Sequence, residues 1–151
     1  MTNSKIYYDD VVKNPFLANK LINSDSYILR AGVANHAHLA ENFIKDSSMK
    51  VRVEVARHSF IAEKLINDKS EYVRKVVAQH GHIADKLIND PSVNVRMVVA
   101  QHGHIAERLV NDEDEDVRMA VACHHFFAER LINDQSMRVR WMAKSTIDKL
   151  G

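Results

Sequence analysis

Apolar residues form two short helical patterns that alternate along the chain. One pattern consists of Val73, Arg74, Val77, Ala78 and His80. These residues fall at i, i+1, i+4, i+5 and i+7, the spacing of one helix face. A second pattern, from Ile83 to Ile88, falls at i, i+1, i+4 and i+5, and predicts either an α-helix or a 3₁₀ turn. Helices of about two or three turns are marginal alone, so each must be stabilised by its neighbours.

Polar residues bound both elements. Ser70 precedes the first pattern as a predicted N-cap, and Asn89 is predicted to end the second because asparagine tolerates left-handed geometry. Equivalent residues recur through the chain. They are Ser26, Ser48, Ser92, Asp114 and Ser136 at the N-cap, and Asn67, Asn111 and Asn133 at the end of the second element.

The two patterns together form a unit of 22 residues that repeats without insertions. Residues 65–86 and 87–108 are identical at 16 of 22 positions. The chain divides into an N-terminal half-repeat cap and six repeats, at 1–20, 21–42, 43–64, 65–86, 87–108, 109–130 and 131–151. The sequence therefore predicts one repeat domain over 1–151 with the all-α solenoid fold, a right-handed or left-handed superhelix with atypical repeats capping both ends.

The recurring unit D-x-x-x-x-V-R-x-x-V-A-x-H…L resembles the leucine-rich repeat variant family over roughly residues 14–143, and more loosely the HEAT-like α-solenoids. The first resemblance implies a superhelix of alternating α- and 3₁₀-helices, and the second implies stacked pairs of α-helices. Neither resemblance implies a particular activity.

Composition narrows the class of protein. The 151 residues are 46% hydrophobic and 27% charged, with a net charge of +1, which is typical of a globular protein without a strong basic field. Cys123 is the only cysteine, no apolar run is long enough for a membrane span, and residues 1–10 do not resemble a signal peptide. These features predict a cytoplasmic protein that does not bind membranes.

Arginine and aspartate recur at 22-residue spacing. We name these residues the arginine–aspartate ladder: Arg30, Arg52, Arg74, Arg96, Arg118 and Arg140, with Asp46, Asp68, Asp90, Asp112 and Asp134. The arginines could form a phosphate-binding stripe. Because they adjoin buried valines and have aspartates at a fixed offset, a structural pairing with carboxylates and turn carbonyls of the same or the adjacent repeat is the favoured interpretation.

Histidines recur in two columns, the first of which ends the first helix. The first column is His36, His58, His80, His102 and His124, and the second is His38, His82 and His104. Stacked helices about 8–10 Å apart cannot place successive members on one zinc ion. The first column is therefore predicted to form hydrogen bonds at helix ends, and no metal or cofactor is expected.

Motifs of catalysis are missing from the sequence. It contains no glycine-rich phosphate loop, G-x-S-x-G elbow or HExxH motif. The acidic run 112–116 lacks the glycine and glutamate of a calcium loop, with Val117 and Cys123 at those places. We therefore expect no enzymatic activity.

The variable outer face of the first helices is the candidate partner-binding surface. Its predicted contact residues are Lys75, Met97, Gln101, Met119 and Trp141. Exposed methionine and tryptophan favour a surface that binds another protein or peptide. Packing of these residues against one another is the structural alternative.

Two other functions are weaker alternatives. A nucleic-acid-binding solenoid would use outward cations such as Lys50, Arg57, Lys75 and Arg138. A HEAT-like enzyme is the third possibility. The leading hypothesis is a non-enzymatic scaffold that binds a protein or peptide.

Overall fold

A computed structural model describes residues 5–149, and every regular element in this range is helical. The α-helices are α1 (Tyr8–Lys13), α2 (Pro15–Lys20), α3 (Tyr27–Ala34), α4 (Met49–Ala56), α5 (Ser59–Ala62), α6 (Glu71–Ala78), α7 (Gly81–Ala84), α8 (Val93–Ala100), α9 (Gly103–Ala106), α10 (Glu115–Ala122), α11 (His125–Leu131) and α12 (Met137–Asp148). The 3₁₀-helices are Ala40–Phe43, Glu63–Leu65, Asp85–Leu87 and Glu107–Leu109. None of these helices is both long and apolar enough to cross a membrane.

The chain divides into two compact units, Met1–Val77 and Ala78–Gly151, whose described parts are residues 5–77 and 78–149. In the first unit α3 packs against both α1 and α4, and in the second α10 packs against both α8 and α12. Within each unit, therefore, the first helices of successive repeats are neighbours. Such stacking supplies the stability that these short helices lack alone.

The first helices begin at 22-residue intervals, and valines on one face of these helices form a large part of the core. Two columns of valines are fully buried, at positions that lie four residues apart on the same helix face. The columns are Val51, Val73, Val95, Val117 and Val139, and Val11, Val33, Val55, Val77, Val99 and Val121. Fully burying each such side chain contributes about 1.5–3 kcal/mol relative to its exposure.

Serine occupies the N-cap position as predicted, but its side chain does not form the cap. Ser48 precedes α4 without a hydrogen bond from its hydroxyl to the helix. Its backbone N–H instead donates to Asp46 Oδ1 at 2.8 Å. Asp114 is the exception, since its own carboxylate accepts from Asp116 N at 2.8 Å.

The second element combines both predicted conformations in three of the repeats. One turn of α-helix, such as α5, continues directly into a 3₁₀ turn, such as Glu63–Leu65. Two repeats use one conformation alone, 3₁₀ at Ala40–Phe43 and α-helix at α11.

The prediction of a left-handed asparagine at the end of this element is wrong. No described residue has a positive φ. Instead, the N–H of the next aspartate closes the last turn, as Asp68 N does by donating to Leu65 O at 3.0 Å. The asparagine therefore lies inside a tight right-handed turn.

Both ends differ from the central repeats. At the N-terminus, Asn14 takes the place of the recurrent histidine and caps α2, because its Oδ1 accepts from Leu17 N at 3.1 Å. At the other end, α12 continues unbroken from Met137 to Asp148. Repeat 131–151 thus has one described helix and not the predicted two, since Thr146 replaces the histidine at which other repeats start the second element.

Candidate binding groove and the contacts that support it

Each paired arginine of the ladder connects two successive repeats. Arg52 Nε and Nη2 donate to the two carboxylate oxygens of Asp68 in the next repeat, at 2.6 and 3.0 Å. Arg52 Nη1 donates to Asp46 O in its own repeat at 2.8 Å. The same carboxylate geometry joins Arg30 to Asp46, Arg96 to Asp112 and Arg118 to Asp134.

The aspartate uses all of its polar atoms in this arrangement. Asp68 donates its N–H to Leu65 O, accepts Ser70 N at Oδ1 (2.8 Å), and accepts Arg74 Nη1 at its carbonyl (2.7 Å). Burial raises the pKa of Asp68, but the hydrogen bonds from Arg52 and Ser70 outweigh it, and the pKa is lower than usual. In Asp134 the hydrogen bond from Arg118 is the largest cause of the lowered pKa.

These contacts favour the structural interpretation of the ladder over a phosphate-binding stripe. The side chains of Arg52, Arg96 and Arg118 are less than a tenth exposed. A phosphate would have to displace a buried carboxylate that already bonds two guanidinium nitrogens. Arg140 resembles the other arginines only in its carbonyl contacts, since it donates to Asp134 O at 2.6 Å.

The first histidine column anchors the second element to the preceding repeat. His58 Nε2 donates to Ala34 O at 2.9 Å, and His102 Nε2 donates to Ala78 O at 2.8 Å. Each acceptor is the last residue of the preceding first helix, where carbonyls lack intrahelical partners. The imidazole therefore supplies a hydrogen bond at a helix end, as the sequence suggests.

An apolar groove of about 370 Å³ opens on the first helices of the second unit. Three methionines from successive first helices line it, Met97 on α8, Met119 on α10 and Met142 on α12. The rest of its lining consists of Gln101, Asp116, Ala120, Cys123 and His124. We name this feature the methionine groove.

Asp116 in the lining of the methionine groove belongs to a cluster of charged side chains. Arg138 Nη1 lies 2.7 Å from Glu115 Oε1 and 2.8 Å from Asp116 Oδ1. The second contact falls outside hydrogen-bond angles, so opposite charge compensates that buried oxygen. Hydrogen bonds from Ser136 and Arg138 lower the pKa of Glu115, the residue before Asp116 in the sequence.

The structure brings together only part of the predicted contact surface. Met97, Gln101 and Met119 share the groove, whereas Trp141 is 67% exposed outside its lining and Lys75 is exposed in the first unit. Sequence reasoning missed Met142. A sequence signal for Met142 lies at the equivalent position of the preceding repeat. Ala120 stands there in place of the valine of two earlier repeats, and its smaller side chain makes room for a longer neighbour.

The cations of the nucleic-acid alternative are partly engaged. Arg57 pairs with Glu54 at 3.3 Å, and Lys50 Nζ lies 5.4 Å from the centre of the Tyr27 ring. Arg138 contacts two carboxylates, as described above. These contacts reduce the charge that such residues could offer to phosphates. Among residues 5–149, no three His, Cys, Asp or Glu side chains are placed to hold a metal ion.

Comparison with known proteins identifies the fold. No family model matches the chain, and no curated protein sequence matches it. A solved structure described as "a leucine-rich repeat variant with a novel repetitive protein structural motif" is similar, with a TM-score of 0.77 and 22% sequence identity. The similarity covers 93% of this chain and 64% of that one, so this chain spans about two thirds of the other protein's length.

This similarity and the helices together confirm the predicted fold class. The chain has an all-α solenoid fold like that of a leucine-rich repeat variant. The alternation of α-helix and 3₁₀-helix agrees with that resemblance better than with paired α-helices of the HEAT type. At 22% identity the comparison concerns the fold and not the partner.

Proposed function

We propose that this protein is a non-enzymatic scaffold that binds a peptide segment of another protein in the methionine groove. The observation that carries the proposal is the alignment of Met97, Met119 and Met142 along one open apolar groove. Methionine side chains are flexible and polarisable, and they adapt to different apolar side chains of a ligand.

The groove's dimensions and rim suggest the character of the peptide. A volume of about 370 Å³ accommodates one or two bulky apolar side chains but not a folded domain. Asp116 in the groove lining favours a basic residue beside that apolar anchor, which would compete with Arg138 for the carboxylate.

A selection from a random peptide library tests the proposal. We expect the wild type to enrich peptides with a large apolar residue next to Lys or Arg, and Met119→Glu to lose them because it places a charge in an apolar surface. Met137→Glu is the matched control, since Met137 is 73% exposed and lies outside the groove lining.

Two outcomes would contradict the proposal. One is retention of the selected peptides by Met119→Glu, and the other is an equal loss in Met137→Glu. Circular dichroism of both variants ensures that a loss of binding does not reflect a loss of helix.

A further inference from the structure

The ladder arginine of α12 retains the geometry of a carboxylate site that none of the described residues fills. Arg140 Nη1 donates to Asp134 O at 2.6 Å and to Gln135 O at 3.0 Å. Arg118 Nη1 donates to two turn carbonyls in the same way, at 2.8 and 3.1 Å. The two guanidinium groups are therefore held alike. Within residues 5–149, however, Nε and Nη2 of Arg140 have no hydrogen-bond partner.

The equivalent nitrogens of other ladder arginines show which ligand this geometry takes. Nε and Nη2 of Arg118 donate to the two carboxylate oxygens of the next ladder aspartate, at 2.7 and 3.0 Å. The same pair of bonds is formed by Arg30, Arg52 and Arg96. Two parallel N–H bonds from a guanidinium suit a planar group with two acceptor oxygens. These four sites therefore assign a carboxylate ligand to Arg140.

The bound aspartates share a local structure. Asp134 Oδ1 also accepts the N–H of Ser136 at 2.7 Å, and α12 begins at the next residue. Asp68 Oδ1 accepts the N–H of Ser70 at 2.8 Å, directly before α6. The segment that fits Arg140 is therefore an Asp-x-Ser turn that leads into a helix.

Two apolar side chains of α12 flank Arg140. Met137 is 73% exposed and Trp141 is 67% exposed, although methionine and tryptophan are mostly buried in folded proteins. The three residues fall at i, i+3 and i+4 of one helix and therefore share one face. We name them the open face of α12.

The preceding repeat shows which neighbour this face is shaped for. Met137 corresponds to Glu115, which Arg138 of the following repeat contacts at 2.7 Å. Trp141 corresponds to Met119, which lines the methionine groove together with a residue of the following helix. The open face is thus the side of α12 turned away from α10, on which a following layer would pack.

The first described repeat does not offer a matching carboxylate. Tyr8 stands at the arginine position of α1, and Ser24 stands at the ladder position sixteen residues later, where an aspartate would lie. A second copy of the chain, stacked in the register of the ladder, would therefore bring a serine to Arg140 and not an aspartate. This mismatch favours a partner with a different sequence.

Going beyond the proposed function, we propose that the open face of α12 binds a helical segment of another protein, whose Asp-x-Ser turn places a carboxylate on Nε and Nη2 of Arg140. Met137 and Trp141 pack on apolar side chains of that helix. The two parallel bonds fix the register of the segment, and the flanking side chains exclude water from the ion pair and so strengthen it.

Fluorescence anisotropy with two labelled peptides tests the proposal on the full chain. One peptide has the sequence of residues 87–100, in which Asp90 Oδ1 accepts the N–H of Ser92 at 2.8 Å and α8 follows. The other is the same peptide with Asp90→Asn. We expect the wild type to bind the aspartate peptide about tenfold more tightly or better, because the asparagine peptide cannot form the ion pair.

Variants of the protein locate this preference. Arg140→Leu should bind the two peptides equally, and Arg140→Lys should lose most of the preference, because lysine keeps the charge but lacks the planar fork. Arg108→Leu is the matched control, since it removes an exposed arginine of the 3₁₀-helix Glu107–Leu109. Met119→Glu separates this surface from the methionine groove. Both of these variants should retain the full preference, and circular dichroism verifies the helix content of all four.

Several results would overturn the proposal. They are equal binding of the two peptides by the wild type, an absence of binding at millimolar peptide, and an undiminished preference in a folded Arg140 variant. A wild-type dimer that Arg140→Leu dissociates in analytical ultracentrifugation would assign the open face to a second copy of the chain and would also overturn it.

Discussion

Arg118 and Arg140 occupy equivalent positions in successive repeats but have different contacts. Both donate Nη1 to turn carbonyls, Arg118 to Asp112 O at 2.8 Å and Arg140 to Asp134 O at 2.6 Å. Arg118 also holds the Asp134 carboxylate with Nε and Nη2, at 2.7 and 3.0 Å. Among the residues that the structure describes, no carboxylate is hydrogen-bonded to Arg140.

The difference separates two roles of one residue type. The bonds to carbonyls hold the turn within a repeat, and the bonds to carboxylate join one repeat to the next. Arg118 is buried and performs both roles, whereas Arg140 is half-buried and performs only the first.

Replacing each arginine should show how much the bond between repeats contributes. Arg118→Leu leaves the Asp134 carboxylate buried without its guanidinium, and we expect a loss of about 3–5 kcal/mol in the free energy of unfolding. Arg140→Leu removes hydrogen bonds at a less buried site and should cost about 1–2 kcal/mol. Urea denaturation measures both, and equal losses would show that the two roles cannot be separated in this way.

Acid should remove the same bond from the wild type. Because the pKa of Asp134 is lowered in the folded state, its stabilising effect is present above the unfolded pKa of about 3.9 and is lost as pH falls through the folded value. Asp134→Asn should lower stability by about 1–3 kcal/mol at neutral pH and by less below about pH 4. Thermal melts of both proteins from pH 7 to pH 2 test this, and a difference independent of pH would contradict it.

The histidine anchor offers a second connection between repeats to compare with the ladder. His102→Ala leaves Ala78 O without its imidazole donor at a helix end, so we expect a loss of about 1–2 kcal/mol, smaller than that of Arg118→Leu. His102→Gln should recover part of the loss, because its amide is also a donor. An unchanged melting temperature in the alanine variant would show that water replaces the imidazole.

Trp141 follows Arg140 directly in the last helix, and replacing it tests how much an exposed side chain contributes to stability there. Trp141→Ser removes a side chain that is 67% exposed, and we expect a change within about 0.5 kcal/mol. A larger loss in urea denaturation would mean that the indole packs on the last helix and contributes to its stability.

The sequence predicts the repeat length, the core columns and the pairing of arginine with aspartate because each depends on a strict period. The sequence does not decide which aspartate each arginine pairs with. An aspartate lies six residues before nearly every arginine, but the carboxylate that the arginine binds belongs to the aspartate sixteen residues after it. One sequence feature distinguishes the two. Tyr8 stands at the arginine position sixteen residues before Ser24, so both partners of that pair are replaced together.

The methionine groove is less predictable for a physical reason. The repeat length and the rotation per residue of an α-helix place Met97 and Met119 on one face. The depth of the groove, however, depends on the volumes of neighbouring side chains in three repeats. Ala120 and Met142 decide that depth together, and neither is unusual when considered alone. A pattern of polarity therefore identifies the face and not the depression in it.

The two contacts of Asp46 determine how the chain can change in length. Its carboxylate binds Arg30, sixteen positions before it, and its carbonyl binds Arg52, six positions after it. Excision of residues 49–70 would bring Arg74 to the place of Arg52 and preserve both offsets. An excision one residue shorter or longer would misalign the valines and the ion pairs together, so this architecture can shrink or grow only by whole periods.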